Sequence, residues 1–252
     1  MKMIFLILLF AHTLFSDGLK VYLYTPEINI NNFKSLKVSF DAYLSAYGDY
    51  EFQPFSDKKT FEKYLKKKNT VVILSSWHYR EIAKAYNLKA MLVAHKKGSS
   101  TDKKILVGQK NIPLEGIVTS AYNKEYTNKL LLTITKNRSK ALSVLSVPKE
   151  IDALMSVGFG MSRFALVSKD SFTHLQNVNP VLSRDLSIYH ESVPEHRMFM
   201  ACNEIDEEKM GLLSVFQEMS LSERGKNILN MIGIDELVLL SSKNQDNAGD
   251  AK

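Results

Sequence analysis

Residues 71–82 read VVILSSWHYREI. Four apolar residues run into Ser75, Ser76, Trp77, His78 and Tyr79, and a helix-like pattern follows. The chain's single tryptophan, an imidazole, a phenol and two hydroxyls thus gather where a buried strand gives way to a helix. In α/β folds this is the crevice beyond the carboxyl ends of the strands, where ligands sit. The chemistry on offer is recognition of an anion or a small polar molecule. First-turn N–H groups lack intrahelical partners, and the helix dipole favours negative charge there. The same residues can also form an ordinary helix start, with Ser75 or Ser76 as cap and Trp77 and Tyr79 packed behind it. His78 taken alone reads as a structural hydrogen-bonding residue.

A second place has the same make-up. In IVTSAYNKEY, Thr119, Ser120 and Tyr122 follow a strand-like run and precede a helix-like one. One such place is routine capping; two, one in each half of the chain, suggest jaws that face each other. Tyr24 and Thr25, just before Pro26 at the end of the first strand, form a third wall. The expected ligand residues are therefore Tyr24, Thr25, Ser75, Ser76, Trp77, His78, Tyr79, Thr119, Ser120 and Tyr122.

Other constellations carry less. GFGMS (158–162) follows a helix rather than a strand, so a helix C-cap at Gly158 or Gly160 is expected instead of a phosphate loop. HESVPEH holds His190, Glu191, Glu195 and His196, types that bind zinc, but the segment reads as strand–turn–strand and its spacing does not force convergence. No metal and no cofactor are expected. Neither G-x-S-x-G, H-E-x-x-H nor a P-loop occurs, and nothing pairs a nucleophile with a base. The chain is not expected to be an enzyme; His78 is the one natural candidate if it were.

The elements that must position these groups follow from periodicity. Residues 19–25, LKVYLYT, read as a strand. Phe33, Leu36, Phe40, Tyr43, Leu44 and Tyr47 share one face of a helix that ends at Gly48. YEFQPF is a strand, and Ser56 or Asp57 caps a helix with Phe61, Tyr64 and Leu65 inward. TVVILS, WHYREIAKAYN and KAMLVAH add strand, helix and strand, the pattern of a parallel sheet wrapped by helices. After the polar break KKGSSTD the grammar repeats through EGIVTS, a helix over NKEYTNKLLLTIT, KALSVLSV, a helix opening at Pro148, and RFALVS. A short helix over KDSFTHLQ, strands at LSIYHES and RMFMACN, and two closing helices complete the chain.

The expected architecture is α/β with two lobes, each a mixed, mainly parallel sheet flanked by helices, with a ligand cleft between them. Residues 17–97 with 192–241 form the first lobe and 98–191 the second. The chain crosses between lobes near 95–104 and again near 184–202, and two crossings make a hinge.

The opening MKMIFLILLFAHTLFSDG has the basic start, short apolar run and polar sequel of a secretory signal peptide, read over 1–16, followed by export to the periplasm. Cys202 is the only cysteine, so the chain forms no internal disulfide. The net charge of +6 is compatible with an anionic partner. No basic stretch interleaved with aromatics argues for nucleic acid. A monomer is expected, with a polar tail over 242–252.

Three stretches carry a family resemblance. EMSLSERGKNILNMIGIDEL, PKEIDALMSVGFGMSRFALVS and VVILSSWHY resemble the periplasmic substrate-binding proteins of phosphate/phosphonate-type ABC transporters, the PhnD-like group. The resemblance implies the type 2 periplasmic-binding-protein fold and an oxyanion such as phosphate, phosphonate or phosphite held between lobes. It implies Ser75, Ser76 and Tyr79 from the first lobe, Thr119 and Ser120 from the second, and Tyr24 as near wall. The partner it implies is a membrane ABC permease. A membrane sensor kinase, or a cofactor-synthesis-type enzyme on the same fold, are the alternatives. TSAYN carries no glycine and GMSRF places Ser162 and Arg163 where the family often has an acidic residue, so this chain departs from the pattern in its second lobe.

Overall fold

The computed structural model describes residues 18–66 and 70–240; the segment read as a signal peptide and the polar tail lie outside the described residues. The chain begins β1 (Leu19–Tyr24), α1 (Phe33–Leu44), β2 (Tyr50–Pro54), α2 (Lys58–Tyr64), β3 (Thr70–Ser75), α3 (Ser76–Tyr86) and β4 (Lys89–His95). It continues β5 (Thr101–Gln109), β6 (Gly116–Ser120), α4 (Lys124–Ile134), β7 (Leu142–Ser146), α5 (Glu150–Gly158) and β8 (Phe164–Ser168). Then come α6 (Lys169–Val178), α7 (Pro180–Ser183), β9 (Leu186–His196) and β10 (Met198–Cys202). It closes with α8 (Glu207–Glu218), α9 (Glu223–Met231) and β11 (Glu236–Leu239).

Two sheets result. The first has the order β11-β4-β10-β3-β1-β2 and the second β7-β6-β8-β5-β9. β1 pairs in parallel with β2 and β3. β10 wedges between β3 and β4, antiparallel to both, so β1 to β4 still run in one direction. β11 adds an antiparallel edge beyond β4. In the second sheet β6 is parallel to β7 and β8, while β5 lies antiparallel between β8 and β9. The chain passes between sheets at residues 96–100 and at Arg197. The expected division at 191/192 falls inside β9, whose pairing with β5 continues to His196.

Each sheet is covered on both faces. Leu36, Phe40, Leu212, Phe216 and Leu229 from α1, α8 and α9 pack on one face of the first. Phe61, Tyr79 and Ile82 from α2 and α3 pack on the other. In the second, α5 and α6 cover one face and α4 the other. Trp77, a first-lobe residue, belongs to the cluster under α4 with Leu106, Val118 and Leu130.

Local departures have local causes. α1 stops at Leu44 instead of Gly48, which leaves Tyr47 exposed. Tyr64, expected inward, is also exposed. Asp57 rather than Ser56 caps α2, accepting from the Thr60 amide at 2.8 Å. The turn expected in HESVPEH is absent, because β9 runs unbroken through Pro194. β9 is an edge strand, where a residue without N–H is tolerated. α5 ends at Gly158, and Gly160 takes the left-handed conformation (φ 73°) that follows a helix end. α6 runs on to Val178, and β5, α7 and β11 are additions to the expected set.

Candidate ligand cleft between the lobes

Ser75 occupies the N-cap position of α3, yet its side chain makes no capping bond. Its hydroxyl instead donates to the Glu27 carboxylate and lies 3.1 Å from Thr25 Oγ1. Thr25 Oγ1 donates to the same carboxylate oxygen at 2.9 Å. The other oxygen of Glu27 accepts from Lys104 Nζ at 2.6 Å, with both side chains largely removed from solvent. Lys104 stands on β5, in the opposite lobe, with its ammonium 4.9 Å from the Tyr122 ring centroid. Burial works against the charge of Lys104, but Glu27 and then Glu150 outweigh it and raise its pKa.

The second jaw is built around Glu150, at the start of α5. Its carboxylate accepts from the Ser168 amide at 2.8 Å, from Ser168 Oγ at 2.5 Å and from the Tyr122 hydroxyl. Burial pushes the Glu150 carboxyl up, with Lys104 acting in the opposite sense. Burial and the Glu150 charge together push the Tyr122 phenol well up. An aromatic contact closes the far side: Trp77 lies 5.6 Å from Tyr122 and 5.8 Å from Tyr126, across the lobe boundary. Arg80 and the Tyr126 hydroxyl both bind Glu195 Oε2 at 2.7 Å, a second tie between lobes.

Beside the Glu27–Lys104 pair, on the side of the two chain crossings, lies a cavity of about 360 Å³. That is within the range of small-ligand sites. Its wall carries Lys96, Lys149 and Arg197 against Asp102 and Asp170, with Ser168 and Ser171 at the start of α6. Arg197 binds Asp170 at 2.6 Å and lies 3.7 Å from Asp102, and Lys96 is 3.1 Å from Asp170. Burial raises the Asp102 carboxyl, helped by Asp170. Burial also opposes the charge of Asp170, but Lys96 and Arg197 hold it below its usual value.

The structure thus joins Thr25, Ser75, Trp77 and Tyr122 at the lobe boundary. The remaining expected residues are engaged elsewhere. Ser76 donates to the His196 carbonyl, and its amide to Arg197 O at 3.1 Å, so it fastens α3 to the chain passage at Arg197. His78 is fully buried, 2.8 Å from Glu62 Oε1, and packs on Tyr24 and Phe61. Tyr79 bridges the Leu88 carbonyl and the Ala90 amide, each at 3.1 Å. Thr119 is spent under α5, 3.1 Å from the Ala153 and Phe164 carbonyls. Ser120 Oγ accepts from the Tyr122 amide at 3.2 Å and so caps its own turn. None of the expected residues lines the cavity. Among the described residues no group of His, Cys, Asp and Glu is placed to hold a metal ion, and no helix is long and apolar enough to cross a membrane.

Glu27, Lys104, Glu150, Tyr126 and Arg197 stand at the lobe boundary without being among the expected residues. Lys104 left a trace: in KKILVG a strand's alternation puts it on the same face as buried Leu106. Glu27 left none, because a glutamate after Thr-Pro in a loop looks solvated.

No protein-family model matches the chain, and neither does any curated protein. Solved structures do. The chain is similar to a binding protein component of an ABC phosphonate transporter from Pseudomonas aeruginosa, with TM-score 0.72 and 12% identity over 93% of this chain and 89% of that one. It is similar to PhnD1 from Prochlorococcus marinus in complex with methylphosphonate, with TM-score 0.73 and 14% identity over 91% and 94%. The periplasmic aliphatic sulphonate binding protein from Escherichia coli follows the same path, with TM-score 0.60 and 12% identity over 91% and 88%. The chain has the two-lobed type 2 periplasmic-binding fold, in the form seen in phosphonate-binding components of ABC transporters.

Proposed function

We propose that the chain is an exported solute-binding protein that closes its lobes on a small oxyanion of the phosphate, phosphonate or phosphite class and presents it to a membrane ABC permease. Export rests on the N-terminal signal-like run. The oxyanion class rests on one observation: Lys104, buried between lobes, and the Thr25 and Ser75 hydroxyls converge on the two oxygens of one carboxylate, an arrangement that holds a negative charge. A buried ammonium is costly without an anionic partner, so this site favours occupants that bring one. Closure needs a ligand that binds the closed form better than the open form. Donors drawn from both lobes supply that difference, and the adjoining cavity gives room for a substituent on the anion. The likeness of fold to the phosphonate and sulphonate binders supports the same reading.

Trp77 stacks across the lobe boundary and reports on it. Titrating the protein, freed of carried-over ligand, with phosphate, phosphite, methylphosphonate and sulfate should give a saturable change in tryptophan emission with at least one of them. That change should be lost in Lys104→Met. A flat response to every anion in folded protein would contradict the oxyanion assignment.

A further inference from the structure

The anion that Lys104 holds in this structure belongs to the chain itself. Glu27 stands on the irregular segment between β1 and α1, part of the first lobe, and crosses to the second. The second lobe grips that segment at three points. Lys104 binds the carboxylate at 2.6 Å, the Glu150 amide donates to the Pro26 carbonyl at 3.2 Å, and Ser171 Oγ donates to the Glu27 carbonyl at 3.2 Å. Two of these donors stand in the first turns of α5 and α6, where unpaired N–H groups and the dipole attract negative partners. From its own lobe, Glu27 receives the Thr25 and Ser75 hydroxyls. A guest anion would be held in the same way.

Which partner is host and which is guest follows from what carries each. Lys104 is fixed in β5, hydrogen-bonded between β8 and β9, and packed beneath Tyr122. Glu27 is carried by a loop outside any strand or helix, three residues beyond the end of β1.

We propose that Thr25, Ser75 and Lys104 form an anion subsite of carboxylate and oxyanion class, occupied by Glu27 as a tethered ligand that a free anion must displace. This rests on the binding reading above and goes beyond it, by naming the residue that sets the affinity threshold. The exchange conserves charge: one anion leaves Lys104 as another arrives, so the buried ammonium is never left bare. A neutral ligand offers no such exchange, because displacing Glu27 would strand Lys104. The tether presents Glu27 at high effective concentration, so dilute anions are refused and only a tighter-binding one closes the cleft in its place.

The test is calorimetric titration of wild type, Glu27→Ala and Glu27→Gln with sodium acetate and with sodium phosphate at constant ionic strength. Apparent affinity is reduced by the fraction of molecules in which the subsite is vacant, so Glu27→Ala should bind at least one of these anions about tenfold more tightly than wild type, or better. Glu27→Gln, equal in size and uncharged, should gain in the same direction by less. It also carries the test should Glu27→Ala fail to fold, as judged by circular dichroism. If wild type binds phosphate and both variants bind it equally or more weakly, Glu27 is part of the host and the inference falls while the binding reading stands. If neither wild type nor variants bind either anion, the inference and the oxyanion assignment fall together.

Discussion

Lys104 and Glu27 show how far one buried pair can reach. The effective penalty for taking an ammonium out of water is several kcal/mol, and it is recovered only with good geometry and further hydrogen bonds. Here the geometry includes a 2.6 Å contact, and hydroxyls from Thr25 and Ser75 satisfy the carboxylate. His78, the one residue that could have argued for catalysis, serves a different end. Its Nε2 meets Glu62 at 2.8 Å, and that hydrogen bond, opposed by burial, holds the Glu62 carboxyl below its ordinary value of 4.5. With the folded value below the unfolded one, the pair's contribution is fully present above about pH 4.5 and is lost as pH falls through the folded value. Glu62→Gln should therefore flatten the acid limb of stability. Urea unfolding compared near neutral pH and at about pH 3 should show a smaller difference in the variant than in wild type. An unchanged difference would mean the His78–Glu62 bond does not persist in solution. At this scale the sequence was half legible. Serines and tyrosines at strand ends advertise a crevice, but a glutamate in a loop and a lysine at a strand's start look like surface until the fold buries them.

Elements were the most readable level, because periodicity and capping are local. β1, β3, β4, β6 and β8 and the helices between them stand where apolar alternation and helical spacing place them. The failures are equally local in origin. Pro194 reads as a turn until β9 is known to be an edge, and β11 is too short to register without its partner β4. Gly225, in the C-terminal SERGKN stretch, shows a constraint invisible to periodicity. A Cβ there would stand 2.0 Å from the Met219 carbonyl oxygen, in the turn that Ser222 caps by accepting from the Gly225 amide at 3.0 Å. The obstacle is backbone, which cannot rotate away as a side chain would. Gly225→Ala should accordingly lose about 1–3 kcal/mol in chemical denaturation, as overpacked sites do. A loss within error would mean the turn before α9 relaxes freely. Lobe architecture follows from these elements only once β10 is seen between β3 and β4. No local signal announces that wedge, since it joins residues more than a hundred positions apart.

The whole molecule is two sheets joined by two chain passages, closed across Glu27–Lys104, Arg80–Glu195 and the Trp77–Tyr126 stack. On the proposed reading the lobes close on whatever binds the closed form more tightly, and Lys104 then stands between them as a cation. Closure should therefore depend on an anion at Lys104, whether tethered or free. Small-angle X-ray scattering of wild type, Glu27→Ala and Lys104→Met, each with and without phosphate, measures that dependence directly. If that dependence holds, wild type is compact, Glu27→Ala is expanded and contracts when phosphate is added, and Lys104→Met is expanded and phosphate leaves it unchanged. Superimposable scattering from all three proteins, with or without phosphate, would contradict it.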